Sequence, residues 1–205
     1  DVCSSDLSSD LKVRLPEGDV SFTLPVPGQH NVRNALAAAA ATSAAGIAPK
    51  VIAEGLSTFA GVKGRQQRKT SRAGATLIDD TYNANPESVR AAIDVLRRFP
   101  PPTVLVLGDM GEVGDQGVAF HREVGAYARS AQLTRLIGFG DLARHAVQAF
   151  GPEARHARTI EELISSVAED DRPESTLLVK GSRFMAMERV VAALVPHDGT
   201  AEAAH

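Results

Sequence analysis

Cysteine is nearly absent from the sequence: Cys3 is the single thiol among 205 residues, and tryptophan does not occur. One thiol cannot close an intrachain disulfide or build a cysteine zinc cage. Long apolar runs are missing as well. None approaches the ~18–20 residues that a membrane-spanning helix needs, and no signal-peptide pattern opens the sequence. No membrane span and a reducing, cytoplasmic setting are the expectations. Charge of one sign is lacking, since the net charge is −3; this argues against a nucleic-acid coat or a membrane-surface protein, and no nucleic-acid partner is expected. Several site signatures are also missing: the phosphate loop G-x-x-x-x-G-K-[ST], the dinucleotide fingerprint G-x-G-x-x-G, the H-E-x-x-H metal pair and the G-x-S-x-G nucleophile elbow. The sequence therefore carries no complete catalytic centre and no metal-ligand set.

What is present reads as a soluble α/β protein, with 43% hydrophobic and 23% charged residues. Residues 1–10 are Ser/Asp-rich and aperiodic, the pattern of a disordered or foreign end. The sequence begins with Asp1 and not Met, so a piece of something longer is expected. Leu11–Leu15 and Val20–Leu24 alternate around Pro16-Glu17-Gly18-Asp19, the pattern of a hairpin. Alanine is absent before Ala35 and then dominates Ala35–Ala45. With Asn31 or Asn34 near the start and Gly46 just past the end, this predicts a helix. A second helix opens at Pro49 and runs to about Phe59, and 61–64 reads as a hinge.

From Arg65 onward strands and helices alternate. Strands are expected at Gln66–Ser71, Ala75–Ile78, Thr103–Leu107, Arg135–Ile137, Arg155–Ala157 and Thr176–Val179. Helices are expected at Glu87–Arg98, Gln116–Ser130, Leu142–Phe150, Ile160–Ala168 and Phe184–Leu194. That alternation implies a mostly parallel six-stranded sheet with helices on both faces, whose ligands sit beyond the carboxyl ends of the strands. The expected organisation is an end (1–10), a first segment (11–62), the α/β domain (63–195) and a tail (196–205).

Four loops carry candidate chemistry. Asp79-Asp80-Thr81-Tyr82-Asn83-Ala84-Asn85-Pro86 follows a strand and holds two carboxylates, a phenol and two carboxamides. A carboxylate there suits the hydroxyls of a ribose, while the plainer alternatives are that Asp79 caps a turn and that Asn85 caps the next helix, with Pro86 at its first position. The basic run Lys63–Lys69 is either a solvated face or places an arginine on a phosphate. Gly108-Asp109-Met110-Gly111-Glu112-Val113-Gly114 allows close backbone approach, and its carboxylates suit an ammonium group; the alternative is a flexible loop. Lys180-Gly181-Ser182-Arg183 opens the last helix, where Ser182 caps or the cations hold an anion. His121, His145 and His156 are expected on exposed helix or loop positions.

Taken together, these segments resemble the Mur ligases. Gly28-Gln29-His30-Asn31-Val32-Arg33-Asn34-Ala35-Leu36-Ala37-Ala38 is similar to that family's G-x-H-N-x-x-N-A-L-A-A stretch. Gly64–Gln67, Asp79–Pro86, Gly108–Gly114 and Lys180–Arg183 follow in the family's order, from about Leu11 to Leu194. The D-D-[ST]-Y-N-A-N-P and G-D-M-G-E-[LV]-G forms resemble the branch that joins D-alanyl-D-alanine to UDP-N-acetylmuramoyl-tripeptide. The resemblance implies an ATP-dependent amide ligase of peptidoglycan and cell-wall synthesis, working through an acyl phosphate and monomeric when complete. It implies a Rossmann-like C-terminal domain at 63–195 and, at 11–62, the end of a central ATPase domain. By carry-over, His30, Asn31, Asn34, Arg65 and Asp80 are implied nucleotide contacts. Tyr82, Asn83, Asn85, Asp109, Lys180 and Arg183 are implied to face the two substrates. ATP and Mg2+ are the implied cofactors. The family's phosphate loop, magnesium ligands and carbamylated lysine have no counterpart in these residues, so the chain alone is expected to be inactive. Rival readings are another ligase of the superfamily, of the diaminopimelate- or lysine-adding, folylpolyglutamate or cyanophycin type, and a non-catalytic nucleotide-binding module. The D-N-P-R motif of the diaminopimelate- or lysine-adding branch is absent.

Overall fold

The computed structural model describes residues 2–4, 8–26, 28–59 and 62–196. The chain forms two compact units, Asp1–Val62 and Lys63–His205.

In the first unit, β1 (Val2–Ser4), β2 (Ser9–Leu15) and β3 (Gly18–Leu24) make an antiparallel sheet in that order. Strict alternation turns Leu11, Val13 and Leu15 of β2 and Phe22 and Leu24 of β3 to one side. The helices α1 (Gln29–Ala44) and α2 (Pro49–Ser57) supply Val32, Ala35, Ala39 and Ile52 to the same core. The hairpin turns on Pro16 and Glu17, and Glu17 accepts the Ser43 hydroxyl of α1 at 2.8 Å. The boundaries differ from the sequence expectation in two places. Residues 2–4 and 9–10 of the Ser/Asp-rich opening are strand, because Ser9, 1% exposed, continues the inward alternation of Leu11 and Val13; residues 1 and 5–7 lie outside the described residues. Helix α1 starts at Gln29, before both asparagines, because Gly28 at φ 98° makes the turn into it. Gly61 of the expected hinge and residues 197–205 of the expected tail also lie outside the described residues.

The second unit is built on a six-stranded sheet. Its elements are β4 (Gln67–Thr70), β5 (Thr76–Asp80), α3 (Pro86–Leu96), β6 (Thr103–Gly108), α4 (Gly117–Ser130), β7 (Arg135–Phe139), α5 (Ala143–Phe150), β8 (Ala154–Ala157), α6 (Ile160–Ala168), β9 (Thr176–Lys180) and α7 (Glu188–Leu194). The spatial order is β4-β5-β9-β6-β7-β8, parallel throughout except that β4 runs antiparallel to β5. Every residue of β6 and β9 is buried, as the centre of a sheet covered on both faces requires. Leu105, Leu107 and Leu178 pack with α3, α4 and α5; Val104, Val106, Leu177 and Val179 pack with α6 and α7.

Two departures bear on the site. Strand β5 runs through Asp79 and Asp80, which pair with Val179 and Lys180 of β9, so both carboxylates are strand residues and not loop residues. The expected helix Phe184–Leu194 is broken. Arg183–Met185 form a 3-10 turn, Ala186 takes φ 48°, and α7 begins only at Glu188. Met185 and Met187 are both buried, and residues two apart cannot share one helical face.

Helices α4 and α5 cross at Gly125, where an added Cβ would lie 2.1 Å from the Ala146 carbonyl oxygen. Gly125→Ala should therefore push two backbones apart and lower stability by about 3 kcal/mol. Gly55→Ala in α2 meets nothing within 4 Å, and should be neutral or stabilising by about 0.5–1 kcal/mol. Thermal unfolding of the two variants checks the contrast; equal midpoints would show that α4 and α5 do not meet at Gly125.

Candidate functional site

The carboxyl edge of β5, β9 and β6 brings three of the four candidate loops together, because these strands are direct neighbours. At the end of β5, Asp79 and Asp80 are 2% and 7% exposed. Burying a carboxylate demands partners, and both residues have them. Asp79 accepts from Lys69 Nζ of β4 at 2.6 Å and from the Thr81 hydroxyl at 2.7 Å, the turn-capping role open to it from sequence. Asp80 accepts from Lys180 Nζ at 2.7 Å and from the Gln66 backbone N–H at 3.2 Å. Lys180, 3% exposed, also donates to the Asn83 carbonyl at 2.9 Å. Asp80 and Lys180 stand opposite each other on adjacent parallel strands, so the sheet register itself creates the pair.

Beyond Asp80 the chain turns outward. Gly64, at φ 72°, lets the segment before β4 pass so close that a Cβ there would be 3.1 Å from the Tyr82 nitrogen; Tyr82 N–H donates to the Gly64 carbonyl at 2.9 Å. Arg65 is thereby laid over the Tyr82 ring, its guanidinium carbon 4.3 Å from the ring centroid, with both side chains exposed. Asn83 accepts from the Ala84 N–H at 2.8 Å. Asn85 caps α3 in a reciprocal box with Ser88, with Pro86 in the first turn, so the capping alternative is the one observed.

The Gly108–Gly114 loop is anchored and not loose. Asp109, 9% exposed, accepts the Leu142 and Ala143 N–H groups at 3.0 and 2.7 Å and so caps α5 from across the sheet. Gly140 at φ 112° makes room for that carboxylate; a Cβ there would be 2.4 Å from it. The expected ammonium partner is thus engaged by backbone donors. The next two amides are held by side chains: Met110 N–H donates to His121 Nε2 at 3.0 Å, and Gly111 N–H donates to the Ser182 hydroxyl. Ser182 in turn donates to the Ala84 carbonyl at 3.0 Å, joining the loops after β6, β9 and β5. It does not cap the turn that follows it. Arg183 is exposed and pairs with Glu188 at 3.1 Å.

His121 corrects the sequence reading, since it is completely buried. It lies one helical turn from Val124 and Gly125 and two turns from Ala128, all buried, and that spacing is the signal that marks it as inward-facing. Accepting from Met110 at Nε2 puts its proton on Nδ1, which donates to the Gly117 carbonyl at 2.6 Å. Burial pushes its pKa below 6.5, against the opposing pull of the Gly117 carbonyl and the Asp109 carboxylate. His145 is half-buried, and its Nδ1 has no hydrogen-bond partner among the described residues; His156 is exposed. Gln66 was also missed as a site residue: it is 5% exposed, takes φ 50°, and ties Asp80 to the segment before β4.

In the first unit, His30, Asn31 and Asn34 all lie on α1, with Asn34 exposed. Among the described residues no group of three His, Cys, Asp or Glu side chains is placed to hold a metal ion, and no helix is long and apolar enough to cross a membrane. The arrangement offers fixed loops with Arg65, Tyr82, Asn83 and Arg183 exposed, which is the chemistry of binding and orienting a polar, anionic ligand.

Residues 64–183 match the family described as Mur ligase, glutamate ligase domain. The UDP-N-acetylmuramoyl-tripeptide–D-alanyl-D-alanine ligase of Escherichia coli is 38% identical over 188 residues, covering 91% of this chain and 41% of that protein. A crystal structure of MurF from Acinetobacter baumannii superposes with a TM-score of 0.86 at 34% identity, over 94% of this chain and 43% of that one. MurF from Thermotoga maritima, crystallised with ADP, shares the fold with a TM-score of 0.80 at 23% identity, over 94% of this chain and 44% of that one. The chain thus spans about two fifths of the length of the curated relatives it matches. It belongs to the Mur ligase family, whose glutamate ligase domain residues 64–183 form.

Proposed function

We propose that the chain serves in an ATP-dependent amide ligase that joins D-alanyl-D-alanine to UDP-N-acetylmuramoyl-tripeptide in the cytoplasm during bacterial peptidoglycan synthesis. The observation that carries the reading is the convergence of 79–86, 108–114 and 180–183 at the carboxyl edge of three neighbouring strands, where α/β domains bind their ligands. The names of relatives at 34–38% identity support this reaction over those of other branches. Residues 63–195 would act as the C-terminal domain, and 11–62 as the end of the central one.

ATP, when bound, supplies the phosphoryl group that activates the tripeptide carboxylate. Within this chain Arg65 would meet a phosphate, while His30, Asn31 and Asn34 would face the base. Arg65 suits that part because its stacking on Tyr82 limits the rotamers it must give up on binding. Asp80, buried and bonded to Lys180 and the Gln66 N–H, would hold the segment that carries Arg65 and would not take the ribose role expected of it. Tyr82, Asn83 and Arg183 would contact the dipeptide and the peptide end of the nucleotide sugar. Asn85, Asp109 and Lys180 are spent on internal bonds, so their part is to set loop positions. Among the described residues no three His, Cys, Asp or Glu side chains converge to cage a metal ion, and the chain's contribution would be binding and orientation.

Without donors arranged around a transferring phosphoryl, the 205-residue chain should show no turnover. Phosphate release measured with ATP, Mg2+, both peptide substrates and the chain should equal the protein-free control; release above it would overturn the division of labour. In a complete ligase containing these residues, Arg65→Ala should raise KM for ATP about ten- to a hundredfold, the loss of a charge-assisted hydrogen bond of about 1.5–3 kcal/mol, with stability unchanged. Lys180→Met should instead lower stability by about 3–5 kcal/mol, because it leaves Asp80 buried without its cation. Calorimetry and ATP kinetics on the two variants separate these effects; unchanged ATP kinetics in Arg65→Ala would remove Arg65 from the nucleotide site.

A further inference from the structure

His121 is buried, titratable and used by no step proposed above. Its Nε2 is the acceptor for Met110 N–H, 3.0 Å away, and its Nδ1 is 2.6 Å from the Gly117 carbonyl. The ring therefore ties the start of the 108–114 loop to the first turn of α4. Asp109 is anchored by its own carboxylate, but past Met110 the loop has little else of its own to hold its path. Glu112 and Gly114 both take positive φ, 57° and 52°, and Glu112–Gln116 are exposed or half-buried. The next amide, Gly111 N–H, is held by Ser182, which also holds Ala84. A change at Met110 is thus one residue from the link between the 108–114 and 79–86 loops.

The acceptor geometry exists only in one protonation state. A protonated imidazole carries N–H at both nitrogens, so Nε2 would present a proton to the Met110 N–H and the bond would become a donor–donor clash. We infer that His121 is a positioning residue that holds the 108–114 loop, and through Ser182 the 79–86 loop, only while its imidazole is neutral, which makes loop order fall as pH falls. Asp109 at the end of β6 favours the cation, while His145 on α5 and burial of the ring oppose it. The sign follows. The closed loop holds the imidazole below 6.5, and opening restores the ordinary value. Loop order is then complete above about pH 6.5 and is lost as pH falls, opening becoming up to tenfold more frequent per pH unit until the buried ring itself titrates. That this loop faces substrate rests on the proposed function; its dependence on His121 does not.

The test uses the 205-residue chain and reads the loop alone. Amide exchange at Met110 and Gly111, corrected for intrinsic rates, is followed by NMR from about pH 7.5 to pH 5, with the imidazole shifts of His121 recorded alongside. Wild type should lose protection at both amides with the slope given above. His121→Gln offers a carboxamide oxygen in place of Nε2 and has nothing to titrate, so its protection should stay flat with pH. His121→Leu should leave both amides unprotected throughout, while β6 keeps its protection. Wild-type protection that stays level across this range would overturn the inference. So would a glutamine variant that keeps the wild-type slope, since the proton would then act elsewhere. Unchanged ligase kinetics in a complete enzyme with the expected exchange behaviour would count against the proposed function of the loop and not against the switch.

Discussion

A carboxylate and an ammonium, buried side by side at the ends of β5 and β9, govern the geometry above the sheet. Neither Asp80 nor Lys180 can leave water without full compensation, so each recruits a further partner. Asp80 takes the Gln66 N–H and draws in the segment that carries Arg65. Lys180 takes the Asn83 carbonyl and fixes the outward turn of the 79–86 loop. Because β9 is inserted between β5 and β6, this one pair sits at the centre of the edge where three loops meet. Its register follows from ordinary parallel pairing, which makes the polar cluster a direct product of the sheet.

The rest of the edge follows the same rule, that a buried polar atom needs a partner. Asp109 caps α5 across the sheet, Ser182 bridges two loops, and His121 holds the Met110 amide. Small residues make these approaches possible. Gly140 clears space for the Asp109 carboxylate, and Gly64 lets Tyr82 come up against the strand entry. The break before α7 belongs to the same design. Met185 and Met187 both turn inward, and an added Cβ at Gly181 would lie 2.5 Å from Met187 Cγ, so the chain needs a 3-10 turn there.

These internal bonds sort the motif residues into two groups. One group positions loops and is inaccessible to ligand at most of its polar atoms. The other, Arg65, Tyr82, Asn83 and Arg183, is exposed on loops whose backbones are already fixed. On the proposed function, such an edge would bind and orient an anionic peptide or nucleotide with little ordering loss. Among the described residues no three His, Cys, Asp or Glu side chains converge to hold a metal, and the chain spans about two fifths of its ligase relatives.

The sequence by itself determined the element order from Leu11 onward, the mostly parallel sheet and the strand-end location of the loops. β-branched and leucine runs such as Thr103–Leu107 and Thr176–Val179 admit only doubly covered central strands. It also offered Asn85-Pro86 as a helix start, one of the two roles open to Asn85, because capping is a local interaction between residues three apart. Only the tertiary structure decided which side chains are spent inside the protein. Asp80 meets Lys180 across 100 residues of sequence, Ser182 meets Ala84 across 98, and Asp109 meets Ala143 across 34. No spacing rule reaches such distances, because these partners are set by strand order, and strand order is chosen by the packing of the whole sheet. His121 shows the same limit from the other side: its helical face was readable from Val124 and Ala128, but the amide it holds belongs to a loop that only β6 brings there.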